Sequence, residues 1–230
     1  MEARSLLDLS QTDHADLFSD DQPVWSALPQ IKDYLKAKLA RVEGSLLRGD
    51  IDERALIGEQ VFIAADAIVE ANAVIKGPAW IGAGTVVRSG AYVRENVIVG
   101  DGCVLGNSSE FKNCLLFNSC EVPHFNYVGD SILGYKGHLG AGVICSNVRL
   151  DRKSIRLRDT DGSRIDTGLR KFGAIVGDGT EVGCNSVLSP GTILGRDCII
   201  YPCTHWSGVL AEKQIVKNTQ SLESVPREKK

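Results

Sequence analysis

The sequence predicts an all-β solenoid: a parallel β-helix of hexapeptide repeats, with an N-terminal helical cap and an inserted β-hairpin. Three observations lead there. First, an aliphatic or aromatic residue returns at every sixth position, at Ile57, Ile63, Val69, Ile75, Ile81, Val87, Val93, Val99, Leu105, Phe111 and Phe117. Second, a small or β-branched residue stands four positions after most of them, as in Ala67, Ala73, Ala79, Thr85, Ala91 and Cys103. Third, the 230 residues include 24 glycines but only 7 prolines, which suits many tight turns better than flexible linkers. A period of six is neither helical nor a plain alternation. It fits a short strand and a turn, three of which close one triangular coil that buries its apolar edge against the next.

The elements follow in order. Gln30–Val42 reads as a helix, with Ile31, Tyr34, Leu35, Leu39 and Val42 on one face, Pro29 at its start and Gly44 at its stop. It is expected to cap the open end of the coil stack within an N-terminal unit of residues 1–50, of which 1–22 read as loosely structured. The solenoid then occupies 51–210. Its period breaks at Pro123, which falls on an expected inward position. It resumes at Leu133, Leu139 and Cys145, breaks again, and returns from Val176 through Val182, Leu188, Leu194 and Ile200. Within the 149–173 insertion, Ser154–Arg158 and Ser163–Thr167 flank an Asp-Thr-Asp-Gly turn, the signature of a hairpin. Residues 211–230 read as a C-terminal tail.

Charge and composition exclude several classes. Formal net charge is −3 with Lys and Arg scattered, which argues against a nucleic-acid surface. No apolar run approaches the roughly 18–20 residues that span a bilayer, and the N-terminus lacks a secretory pattern. A cytoplasmic location with reduced thiols is therefore expected. The seven cysteines are dispersed and form no Cys-x-x-Cys pair, so packing explains them better than disulfides or zinc. Only His14, His124, His138 and His205 are available, too few and too separated for a three-histidine metal site, so no metal is expected.

His124 stands at the break in the period, and its context carries a resemblance. The segment PHFNYVGDSILG, followed by LGAGVICSN, resembles the acetyltransferase domain of bifunctional N-acetylglucosamine-1-phosphate uridyltransferase/glucosamine-1-phosphate acetyltransferases. It is closer still to archaeal-type sugar-1-phosphate nucleotidylyltransferases that also acetylate amino-sugar phosphates. The likeness runs from about Ile57 to Leu210 and implies a left-handed winding.

The resemblance also implies roles. His124 corresponds to the catalytic base. Tyr127, Lys112 twelve residues before the histidine, Arg88 and Lys153 correspond to substrate-binding positions, and Asn147 to a residue near the substrate amine. A backbone N–H in the Gly140-Ala141-Gly142 turn would hold the thioester oxygen, and acetyl-CoA as co-substrate would lie near Ala141, Cys184 and Pro202–Cys203. A histidine with an ordinary pKa near 6.5 suits removal of an amine proton, and the cations and hydroxyl suit an anionic sugar phosphate.

The expected activity is acetyl transfer from acetyl-CoA to the amine of an amino-sugar 1-phosphate. The alternatives are acyl transfer to a nucleotide-linked amino sugar, and a non-catalytic trimerising or regulatory partner of a separate nucleotidyltransferase. The residues before Ile57 show no glycine-rich nucleotide motif, so nucleotidyl transfer is expected from a separate chain if at all. A homotrimer is implied, with each groove completed by its neighbour.

Overall fold

A computed structural model describes residues 1–159 and 162–226. Among these the chain winds as a parallel β-solenoid whose three faces are sheets of nine, eight and eight strands. The first face runs from Asp50–Ile51 through Glu121–His124 and His138–Leu139 to Ile215–Val216. The second runs from Leu56–Ile57 through Glu110–Lys112, Tyr127–Gly129 and Ile144–Cys145 to His205–Trp206. The third runs from Val61–Ile63 through Cys114–Leu116 and Ala174–Val176 to Val209–Leu210. Pairing is parallel with an 18-residue step in the early coils, as in Asp50↔Ile68 and Ile68↔Val86. Inward side chains such as Ile75, Ile81, Val93 and Leu105 are fully buried, each contributing about 1.5–3 kcal/mol.

The small residues of the repeat are buried as the sequence implied, among them Ala67, Ala73, Ala79, Thr85, Ala91 and Cys103. Thr85 shows why a hydroxyl is tolerated there: its Oγ1 donates to the Gly100 carbonyl at 2.8 Å and accepts from the Cys103 N–H at 2.9 Å. Five cysteines are buried, only Cys184 and Cys203 are exposed, and all seven are free.

Several expectations are corrected. The six-residue step fails one repeat earlier than the sequence reading placed it, at the step from Phe111 rather than at Pro123. Leu116, not Phe117, lies opposite Val99 on the third face. Phe117 turns outward and packs on Phe18 at 5.9 Å between ring centroids. With the phase reset, Val122 rather than Pro123 faces Leu105 and is buried. The winding therefore continues through Val122 and Val128, and the steps to Leu116 and to Leu133 are each one residue short. Both short steps, and the long insertion before Ala174, fall at the edge between the second and third faces.

The N-terminal unit does not cap the end of the stack; it is a strap along the third face. The strands there carry apolar residues at their outward middle position as well, including Ile98, Leu115, Ile132, Ile175 and Ile193, all buried. Something must cover them, and residues 1–42 do so. The Gln11 carbonyl accepts from the Asn118 N–H at 3.1 Å, the Leu6 carbonyl from Asp178 at 3.1 Å, and the Arg4 carbonyl from Arg196 Nη2 at 3.0 Å. The expected helix is shorter, Ile31–Leu39, preceded by a 3-10 segment Val24–Gln30. Residues 1–22 are ordered in three 3-10 turns, with Leu6, Leu7 and Leu17 buried.

The insertion contains the expected antiparallel hairpin, Arg156–Arg158 paired with Arg164–Asp166. The tip of its Asp-Thr-Asp-Gly turn, residues 160–161, lies outside the described residues. Past 210 the chain adds one more strand, Ile215–Val216, so the solenoid runs into the expected tail. Residues 217–226 carry no regular structure, and 227–230 lie outside the described residues.

Candidate active site

The expected site residues fall along the two edges of the second face. At the edge shared with the first face, His124 ends the strand Glu121–His124 and is exposed. Its backbone is fixed by its neighbours. The His124 N–H donates to Asn126 Oδ1 at 3.1 Å, and its carbonyl accepts from the Gly142 N–H at 3.0 Å. Buried Asn126 reaches into the next coil, its Nδ2 donating to the Gly140 carbonyl at 2.7 Å. The imidazole is thus left accessible on a rigid turn. Phe125 beside it is also exposed and takes a left-handed φ of 54°.

The Gly140-Ala141-Gly142 turn lies one coil further on. Gly142 has φ 75°, and a Cβ there would meet the Asn185 side chain, so the position favours glycine. The Gly140 and Gly142 N–H groups are spent on the Val182 and His124 carbonyls. The Ala141 N–H has no acceptor among the described residues and remains free for a ligand. Beyond it lies an apolar groove of about 310 Å³, lined by His138, Gly140, Val182, Cys184, Ile200 and Pro202 among others. Cys184 and Pro202, expected near the acyl donor, both line it, and Tyr201 stands at its rim.

At the opposite edge, shared with the third face, lies a polar cluster organised by Asp130. This carboxylate is 4% exposed. Asn113 Nδ2 donates to its Oδ1 at 2.9 Å and Asn147 Nδ2 donates to its Oδ2. Lys112 Nζ stands 3.8 Å from Oδ1. Asn147 also donates to the Tyr127 hydroxyl at 3.2 Å. Tyr127 reaches that position by leaning over Gly129, where any Cβ would meet its ring and hydroxyl. Burial, then the charges of Asp130 and Glu110, push the Tyr127 phenol up from its ordinary pKa. It stays protonated at neutral pH, and with Asn147 occupying its lone pair its own hydrogen is available to a ligand.

The structure thus joins Lys112, Tyr127 and Asn147 in one network and sets His124, Ala141, Cys184 and Pro202 along the other edge. Arg88 stands on the His124 edge but two coils earlier, since Val87 aligns with Leu105 and Leu105 with Val122. At the usual strand spacing that is about 9–10 Å along the axis. Lys153 is exposed in the insertion, its N–H bound to Asp151 Oδ1 at 3.2 Å. Sequence reasoning missed Asn113 and Asn126, and gave no role to Asp130 although it stands in the same stretch as His124 and Tyr127. The signal for Asp130 was in view, because a carboxylate directly after Tyr-Val-Gly at a tight corner is the group best able to hold neighbouring amides and an ammonium.

Residues 75–161 match the family described as the GMPPB C-terminal domain. The bifunctional sugar-1-phosphate nucleotidylyltransferase/acetyltransferase of Sulfurisphaera tokodaii is 35% identical over 91 residues, covering 40% of this chain and 22% of that protein. The bifunctional protein GlmU of Methanocaldococcus jannaschii is 35% identical over 110 residues, 47% of this chain and 25% of that protein. The chain therefore spans about a quarter or less of the length of these relatives. A hexapeptide transferase family protein from Anaplasma phagocytophilum aligns over 70% of this chain and 74% of its own, with 17% identity and a TM-score of 0.37. Over the matched region the chain is thus similar to GlmU and to bifunctional sugar-1-phosphate nucleotidylyltransferase/acetyltransferases, the likeness read from the PHFNYVGDSILG and LGAGVICSN segments.

Proposed function

We propose that this chain transfers acetyl from acetyl-CoA to the amine of an amino-sugar 1-phosphate. One observation carries the reading: an accessible histidine on a rigid corner stands beside a free backbone N–H and an apolar groove. The groove suits the thin, largely uncharged arm of a CoA thioester, with Cys184 and Pro202 in its wall. His124 takes the proton from the acceptor amine as nitrogen attacks the thioester carbon. The Ala141 N–H meets the oxygen that gains charge. The carbon–sulfur bond then breaks, and the proton leaves with the thiol. Lys112, Tyr127, Asn147, Arg88 and Lys153 supply the donors for the sugar phosphate. Homology to proteins named as acetyltransferases supports the same reading. We infer a homotrimer and a cytoplasmic setting; no helix among the described residues is long and apolar enough to cross a membrane.

The test follows CoA thiol release with acetyl-CoA and glucosamine 1-phosphate, for native protein and His124→Ala. Release that is lost in the variant supports the reading. No release with that sugar or its isomers, at any concentration of the pair, would overturn it and favour a non-catalytic partner of a nucleotidyltransferase.

A further inference from the structure

The hairpin insertion carries a second concave surface, separate from the groove beside His124. A cleft of about 460 Å³ lies between the segment 149–154 and the hairpin, and its charged lining is Arg149, Asp151, Lys153, Arg156, Arg158 and Arg164. Five cations face one carboxylate. Two of the cations are compensated. Arg149 holds Asp151 through two hydrogen bonds of 2.8 and 2.7 Å, and Arg156 stands 3.5 Å from Asp166. Lys153 shares the Asp151 charge with Arg149, and Arg158 and Arg164 have no acidic partner among the described residues.

The hairpin register sharpens the point. Arg158 lies directly opposite Arg164 in the antiparallel ladder, two residues along from the matched pair Arg156 and Asp166. Side chains directly opposite share a face at about 5 Å between Cβ atoms, and like charges there destabilise the pair. The intervening pair, Leu157 and Ile165, points to the other side, where Leu157 is buried against the solenoid. Gly191 makes the seat: a Cβ there would strike Ile155 and Leu157. The hairpin is pinned further by Ser154 Oγ donating to Asp166 Oδ1 at 2.6 Å and Thr167 Oγ1 donating to the Ile155 carbonyl at 2.8 Å. Two arginines are therefore held side by side, facing away from the core, over a cleft in which the cations outnumber the carboxylates among the described residues.

We propose that this cleft binds a ligand carrying a diphosphate. Each guanidinium presents paired N–H donors that match a phosphoryl group, so two adjacent arginines match two linked phosphoryl groups, with Lys153 beside them. A single carboxylate would leave most of the charge uncompensated. The cleft is also larger than an inorganic anion needs and falls within the size range of ligand sites, so the diphosphate carries a further group. Two sources share this chemistry: the nucleoside diphosphate of a nucleotide-linked sugar, and the ADP part of CoA. The site stands on the hairpin and the segment 149–154 before it, and Lys153 is the one residue it shares with the proposed sugar-phosphate donors.

Calorimetric titration of the full chain tests it, using inorganic phosphate, inorganic pyrophosphate, UDP and CoA in turn, with native protein and Arg158→Gln/Arg164→Gln. Pyrophosphate is expected to bind at least about tenfold more tightly than phosphate, and to lose at least about that factor in the double variant, as for two lost charge-assisted contacts. A matching loss for UDP assigns the cleft to a nucleotide-linked ligand, and a loss for CoA alone assigns it to the acyl donor. Lys153→Ala lies outside the paired strands and checks the result without touching the ladder, and is expected to weaken pyrophosphate as well. Equal affinity for phosphate and pyrophosphate, or affinity unmoved in both variants, would overturn the proposal. The readout is binding, so its failure leaves the CoA-release test of the acetyltransferase reading untouched.

Discussion

Replacing Asp130 by Ala leaves Lys112, whose side chain is only 18% exposed, without its counter-charge, and frees the Asn113 and Asn147 amides. Removing one partner of a buried charged network costs roughly 3 kcal/mol, and urea unfolding should show a loss of that order with an unchanged m-value. His124→Ala makes a contrasting prediction. Its side chain is exposed and its fold-determining bonds are made by the backbone. Stability should hold while kcat falls by roughly 10²–10⁴, as expected for a lost general base; a variant as active as native removes His124 from the chemistry. These two residues also mark what the sequence could reveal. His124, Tyr127 and Asn147 could be singled out as candidates because their spacing resembles a known pattern. Asp130 stands in the same stretch, but its role as a hub shows only once three coils converge on it.

Among the elements, the strap has a built-in dependence on pH. His14 is 1% exposed and sits against Tyr34 and Trp80, with its Nδ1 3.1 Å from the Tyr34 hydroxyl. Burial, aided by the Lys38 charge, lowers its pKa to about 3. In a detached strap it would titrate near 6.5. The detached form therefore binds the proton more readily, and the strap weakens as pH falls from 6.5 toward 3. At pH 4.5 the loss is about 2–3 kcal/mol relative to neutral pH. Hydrogen exchange should show residues 1–40 opening at pH 4.5 before the coils do, and His14→Phe should abolish that pH dependence. Equal protection of strap and coils at both pH values would sink the idea. The strap was hidden in the sequence because short 3-10 turns have no period of their own. The face it covers was legible in principle: Val61-Phe62-Ile63, Ala79-Trp80-Ile81 and Val97-Ile98-Val99 repeat an unbroken apolar triplet every 18 residues, where the other faces need only one inward residue per strand. The one-residue slip before Leu116 was masked because Phe117 is also apolar, so the count of six ran on although the side chain had changed sides.

For the whole molecule the two-edged layout has a direct consequence. His124 and the apolar groove lie on one edge of the second face, and the Lys112–Asp130–Asn147 cluster lies on the other. An acceptor held by the cluster of one chain meets the histidine of another if chains pack around a threefold axis. The strap closes the third face, while the outer two keep exposed apolar residues, among them Leu56 and Val187 on the second and Ile68, Ile199 and Ile215 on the first. A closed ring of copies would cover such positions. Complementation decides between a shared site and a self-contained one. His124→Ala and Asn147→Ala chains are each expected to be inactive alone. Co-expressed in equal amounts and mixed at random in a trimer, they leave about one site in four with an intact histidine from one chain and an intact asparagine from its neighbour, hence about a quarter of native CoA release. Mixing the purified, already assembled variants should restore nothing until the chains are unfolded and refolded together. If co-expression restores no activity while sedimentation still reports trimers, each site is built within one chain, and the acceptor must instead stretch across the second face from Lys112 to His124.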